Sequence, residues 1–99
     1  MARAHDREVR AMKTGLRLVR IDWFDARSLE SGWKPLEKAK AMTLEQCVSV
    51  GFVVNEDKLS ITLVSSMTEK EGLCDGEVII PKGWIATIQE LKHREQGSN

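Results

Sequence analysis

"VIIPKGW", from Val78 to Trp84, runs directly into "IATIQEL", from Ile85 to Leu91, and the reading of this join decides the fold. One reading is a strand that breaks at a proline and starts a helix. The other is two strands joined by one tight turn. "EVII" is short and β-branched, which suits a strand. Pro81 has no N–H to give a ladder, so that strand ends there. Beyond it, Trp84, Ile88 and Leu91 recur at helical spacing, while Ile85, Thr87, Gln89 and Leu91 alternate as in a strand. Periodicity alone leans slightly to the helix. Context leans the other way, because a set of strands upstream leaves sheet edges exposed. A last strand returning to the first one covers them by closing a small barrel. Pro81 sets φ at the turn entry, and Gly83 permits an unusual backbone angle. The expectation is two strands around a 3₁₀ turn; the alternative is an α+β fold with a C-terminal helix from Trp84.

The upstream strands are legible from alternation. In "LRLVRIDWF" (Leu16–Phe24), Val19, Ile21 and Trp23 form the better apolar row and are expected to point inward. "EQCVSVGFVV" places Val48, Val50, Phe52 and Val54 on one face and Cys47, Ser49, Gly51 and Val53 on the other, with Gly51 allowing a bend or a close backbone approach. "NED" turns the chain, and "KLSITLVSS" answers with Leu59, Ile61 and Leu63 on one face, which makes a hairpin. Between the first two strands, "PLEKAKAM" (Pro35–Met42) reads as a short helix with proline at its first position, Leu36 and Ala39 facing in. "MTEKEGLCDG" is polar and carries two glycines, so it is expected as a mobile surface loop. The expected organisation is a flexible N-terminal arm over residues 1–15, one mostly β domain over 16–91, and a flexible tail over 92–99. Met12 opens "MKTGLRLVRIDW", which reads as a natural start, so the first eleven residues are expected to be dispensable.

Ninety-nine residues make one domain with a small core. Charged residues are 30% of the chain and formal net charge is zero, which argues against a strongly basic nucleic-acid binder. The charge is nonetheless uneven: residues 1–40 hold ten Lys/Arg against six Asp/Glu, and residues 41–99 hold five against nine. Two solvated faces explain this as simply as a polar partner surface does. Cys47 and Cys74 are too few for a disulfide framework, and Cys47 reads as a buried small hydrophobe. No apolar run is long enough to span a bilayer. A cytosolic protein with reduced thiols, without membrane partners, is the expectation.

Chemistry is sparse. His5 and His93 lie in the terminal segments without ligand-spaced neighbours, so neither a metal nor any other cofactor is expected. Several serines are present, but no histidine sits on a structured element to activate one. Asp22 and Asp25 straddle a strand end, where a cation or a ligand hydroxyl is one use and plain solvation another. Trp33, in "LESGWKP", is the most informative residue. It either plugs the open end of the barrel or stacks a base beside Lys34. The candidate ligand site is Asp25, Arg27, Trp33 and Lys34, with no catalytic residues.

"IDWFDA", a "GW" some ten residues on, "VSVGFVV" and "VIIPKGWIATIQEL" together resemble a group of small, mostly uncharacterised proteins of tailed bacteriophages. The shared outline is carried here by Trp23 and Asp25, by Trp33, by Ser49–Gly51, and by Ile80 and Pro81 with Ile85, Ile88 and Leu91. It covers roughly residues 16–91, and it departs at Ala26, where members often have serine. The resemblance implies a small five-stranded SH3-like or Sm-like barrel with one short helix, working in the cytoplasm of an infected bacterium. It implies no established activity. The leading expectation is a non-enzymatic, homo-oligomeric binding protein that sequesters a small anionic nucleotide-like ligand as counter-defence. The competing expectations are an Sm-like single-stranded nucleic-acid binder and an interaction module that blocks a host protein.

Overall fold

A computed structural model describes residues 14–92. The arm expected over 1–15 and the tail over 92–99 fall outside the described residues, except for positions 14, 15 and 92. The chain is mostly β. Its strands are β1 (Leu18–Asp25), β2 (Glu45–Glu56), β3 (Ser60–Val64), β4 (Ser66–Met67), β5 (Cys74–Asp75), β6 (Val78–Pro81) and β7 (Ile85–Leu91). One short helix, α1 (Leu36–Lys40), lies between β1 and β2, and a single 3₁₀ turn (Lys82–Trp84) joins β6 to β7. The segment after Pro81 is therefore a strand. Pro81 enters the turn at φ −63°, as its ring requires, but Gly83 does not adopt a left-handed φ, so its special freedom is not what makes the turn.

Five strands form one antiparallel sheet in the order β6-β3-β2-β1-β7. β1 is central to the chain's long-range pairing: Leu18 lies opposite both Phe52 of β2 and Leu91 of β7. The last strand thus pairs with the first, as the alternation of "IATIQEL" permits. The first and last strands of the sheet order, β6 and β7, are consecutive in sequence, yet no ladder joins them among the described residues. The sheet is not closed by hydrogen bonds into the barrel that was expected.

The alternating residues of β1 point as read. Val19 and Ile21 are fully buried and meet Ile61, Leu63 and Ile80 in one cluster, with Trp23, Val53, Val78 and Ile85 packed against its margin. On β2 the half toward this cluster is Cys47, Ser49, Gly51 and Val53, while Val48, Val50 and Val54 face outward and are exposed. Gly51 explains why the bulkier row is outside. A Cβ built there comes within 2.7 Å of the Val64 carbonyl oxygen and 3.1 Å of Leu63 Cβ, so the end of β3 lies close against bare backbone at Gly51. Only glycine allows that approach.

Five local expectations need correction. The helix is shorter than Pro35–Met42, and Pro35 is its N-cap rather than its first residue. Leu36 and Ala39 do not face in, since every residue of α1 is exposed. Five residues cannot lay down an apolar stripe, and no element packs on it. Leu59 does not join Ile61 and Leu63, because it sits in the hairpin turn, where Asp57 Oδ1 accepts hydrogen bonds from the Leu59 and Ser60 N–H groups at 2.8 Å each. "MTEKEGLCDG" is not wholly irregular: Ser66 pairs with Asp75 and Met67 with Cys74 in a small separate hairpin. Gly76 there holds φ +70° directly against the Ser65 hydroxyl, a place with no room for a side chain. Cys47 is half-buried rather than buried.

Gly51→Ala pushes β3 off β2 and is expected to lower unfolding free energy by about 1–3 kcal/mol, the usual cost of overpacking. Urea denaturation followed by tryptophan fluorescence measures it; an unchanged midpoint contradicts the close-approach account.

Candidate functional site

The end of β1 and the start of β7 do not meet in simple register. The ladder runs evenly from Leu18 to Asp22 and then slips, so that Trp23 lies opposite Ile85. A bulge of this kind re-aims side chains at a strand end. Here it opens a cleft of ≈370 Å³ lined by Phe24, Ala26, Leu44, Trp84 and Ile85, with Gly83 and Ala86 at its backbone margin. Its lining is mainly apolar, and Phe24, Leu44 and Trp84 remain substantially exposed. Phe24 and Ala86 also border a shallower neighbour of ≈220 Å³ that reaches Asp22, Gln46 and Cys47. Between them Trp23 is fixed from below, its indole N–H donating to Ser49 Oγ at 3.0 Å. The larger cleft lies within the size range of small-molecule sites, at its lower end. A further depression of ≈250 Å³ is walled by the β4–β5 hairpin alone and falls below that range.

The four residues named from sequence belong to the segment that leaves this cleft at Ala26 and returns to it at Leu44. Asp25 closes β1 and caps the next turn, accepting the Ala26 N–H at 2.8 Å. Arg27 is exposed. Lys34 folds its ammonium back onto the Glu30 and Gly32 carbonyls, the latter at 3.2 Å, so it braces the loop. Trp33 is fully exposed, at 105% of its reference accessibility, and so does not plug the domain. No hydrogen bond or ion pair links the four to one another among the described residues. Phe24, Leu44 and Trp84, which wall the cleft, were not singled out as ligand-facing. Trp84 enters the sequence reading only through its spacing to Ile88 and Leu91, and Phe24 falls in the outward row of its strand.

Charged side chains are concentrated elsewhere. The guanidinium of Arg17 reaches Glu90 (Nε to Oε2, 2.8 Å) and Glu56 (Nη1 to Oε1, 2.9 Å), and Lys82 Nζ reaches the other oxygen of Glu56 at 2.9 Å. This chain ties the approach to β1, the end of β2, the end of β7 and the 3₁₀ turn together. Hydrogen bonds from Lys82 first and Arg17 second hold the Glu56 carboxyl below its ordinary range. The Arg17 guanidinium, bonded first to Glu90 and then to Glu56, is stabilised further as a cation. Asp22 is likewise lowered, by Arg20 and then by the Thr87 hydroxyl, so it lines the depression beside the cleft as an anion rather than as a proton donor. Among the described residues no group of three or more His, Cys, Asp or Glu is placed to hold a metal ion, and no helix is long and apolar enough to cross a membrane.

No protein-family model, no curated protein and no solved structure matches this chain.

Glu56→Gln is expected to lower Tm by a few degrees near neutral pH. Because the folded-state pKa of Glu56 is depressed, its contribution is present above the unfolded carboxylate pKa and is lost as pH falls through the folded value. The difference in Tm between wild type and variant should therefore shrink on acidification below about pH 4.5, and it should be smaller in high salt. Thermal melts across pH and ionic strength check both; a difference that grows in acid contradicts the network.

Proposed function

We propose that this chain is a non-enzymatic binding module that holds a flat, anionic, nucleotide-like ligand in the cleft beside Trp84, with the Trp33 loop folding toward it. The observation that carries this reading is the placement of exposed aromatic surface. Phe24 and Trp84 wall the cleft, and the loop that starts and ends at its rim carries a bare indole, Trp33, with Lys34 next to it in sequence and Arg27 earlier in the same loop. Aromatic faces take a planar base, and neighbouring cations take a phosphate. Asp25, at the end of β1, suits a ligand hydroxyl as an acceptor.

The strand order, with β6 and β7 at its two ends and one 3₁₀ turn between them, favours an SH3-like or Sm-like barrel left open at that seam. Such a frame carries many unrelated functions, so the functional reading rests on the cleft and its loop. On the resemblance drawn from sequence, the setting is the cytoplasm of a phage-infected bacterium, and the role is sequestration of a host nucleotide signal.

Titration calorimetry of the full chain against a panel of linear and cyclic nucleotides tests this. Binding is expected with at least one member. Trp33→Ala is expected to weaken it about tenfold or more, since stacking on an aromatic is worth about 1–3 kcal/mol. Because Trp33 is fully exposed, Tm should not change. Absence of heat with every nucleotide removes the reading.

A further inference from the structure

β2 is longer than either of its neighbours' hold on it. β1 pairs with it from Glu45 to Phe52, but β3 pairs only from Phe52 to Glu56. Among the described residues nothing pairs with the second edge of β2 from Gln46 to Val50. The identity of the free backbone groups follows from the ladder. Val53 N–H donates to the Arg17 carbonyl at 2.8 Å, so the hydrogen-bonded pairs across β1 and β2 are those of odd-numbered residues. Gln46, Val48 and Val50 therefore turn their N–H and C=O groups away from β1, toward open solvent. The same three residues carry the outward side chains, and Val48 and Val50 are 58% and 51% exposed.

The other two edges are guarded and this one is not. β6 is only four residues long and ends in Pro81. The free edge of β7 presents Ala86, Ile88 and Glu90, and Glu90 brings a charge already committed to Arg17. Charges, proline and short length are the usual protections of an edge strand. From Gln46 to Asn55 the chain carries no charge and no proline.

We propose that two copies of this chain associate through this edge, β2 against β2, antiparallel about a twofold axis at Val48. The register is self-complementary. Val48 faces Val48 of the second copy, and Gln46 faces Val50, so that each pair exchanges both backbone bonds. No like charges meet, and the exposed valines are covered. The alternation of free groups forbids any register that sets an even-numbered residue against an odd-numbered one, whose backbone groups are already used by β1; among the registers left, this centre sets valine against valine on the axis. The arrangement is isologous and closes at two copies. It also runs along Gln46 and Cys47, which border the shallower depression beside the cleft.

Sedimentation velocity on the full chain is expected to give twice the 11.2 kDa chain mass. Val48→Lys places two cations face to face on the axis and is expected to return the mass to that of one chain with the fold intact, because the side chain is exposed. Val48→Cys, carried with Cys47→Ser and Cys74→Ser, is expected to form a covalent dimer on mild oxidation, since opposed Cα atoms in such a pair lie about 5.5 Å apart, within disulfide reach. Val54→Cys in the same background lies on the same face, beyond the seam, and is expected to stay monomeric on a non-reducing gel. A monomeric wild type overturns the proposal. So does a dimer that Val48→Lys leaves intact, or cross-linking as ready at position 54 as at position 48.

Discussion

The antiparallel embrace of β1 by β2 on one side and β7 on the other is the constraint on which the rest of the structure depends. It brings Leu18, Phe52 and Leu91 side by side from widely separated parts of the chain. Pairing of such high sequence separation is entropically costly and must be rewarded by burial. The reward is concentrated in Val19 and Ile21, which are fully enclosed by β3 and β6 through Ile61, Leu63 and Ile80. So small a core leaves little margin, which gives the Arg17–Glu56–Lys82 and Arg17–Glu90 pairs their place: they pin together the ends that this pairing collects. All these groups are solvent-exposed, so each pair is individually weak, and their value lies in forming one connected set.

Everything the molecule offers to a partner lies where that pairing stops. At the end of β1 the ladder with β7 slips by a residue, and the slip opens the cleft between Phe24, Leu44 and Trp84. The antiparallel ladder of β3 on β2 ends at Phe52, with the end of β3 close against the bare backbone of Gly51. The first half of β2 beyond it is left as an edge. The two features are neighbours, since Gln46 and Cys47 border the depression next to the cleft.

Ion pairs lie both on the sheet and off it. Arg17, Arg20 and Lys82 are paired on or beside the strands and the 3₁₀ turn, and Lys40 pairs with Glu37 within α1. Arg27 and Lys34 belong to the long connection from β1 to β2, where Lys34 is spent on backbone carbonyls and Arg27 has no ion-pair partner among the described residues.

Alternation was enough to show in the sequence that the stretches around β1, β2 and β3 are strands and that Val19 and Ile21 point inward, and the missing N–H of Pro81 marked the end of β6. These are local consequences of period-two patterning and of a missing N–H. For residues 85–91 periodicity leaned slightly to a helix, and only the need to cover exposed sheet edges favoured the strand that is observed. The direction of β2 was not legible in the same way. Both of its faces are apolar, and its smaller residues turn inward because β3 passes within contact of Gly51, a fact about two distant segments. Nor could sequence reveal that Leu36 and Leu59 stay outside, since each has the chemistry of a core residue and lacks only a neighbour to pack on. The cleft residues Phe24, Leu44 and Trp84 come from three separate segments and are united by a register slip that no single segment encodes. Local pattern determined which residues could be strands and which way most of them alternate. Tertiary packing decided which faces found partners, because burial requires a second surface, and that surface is supplied by another part of the chain.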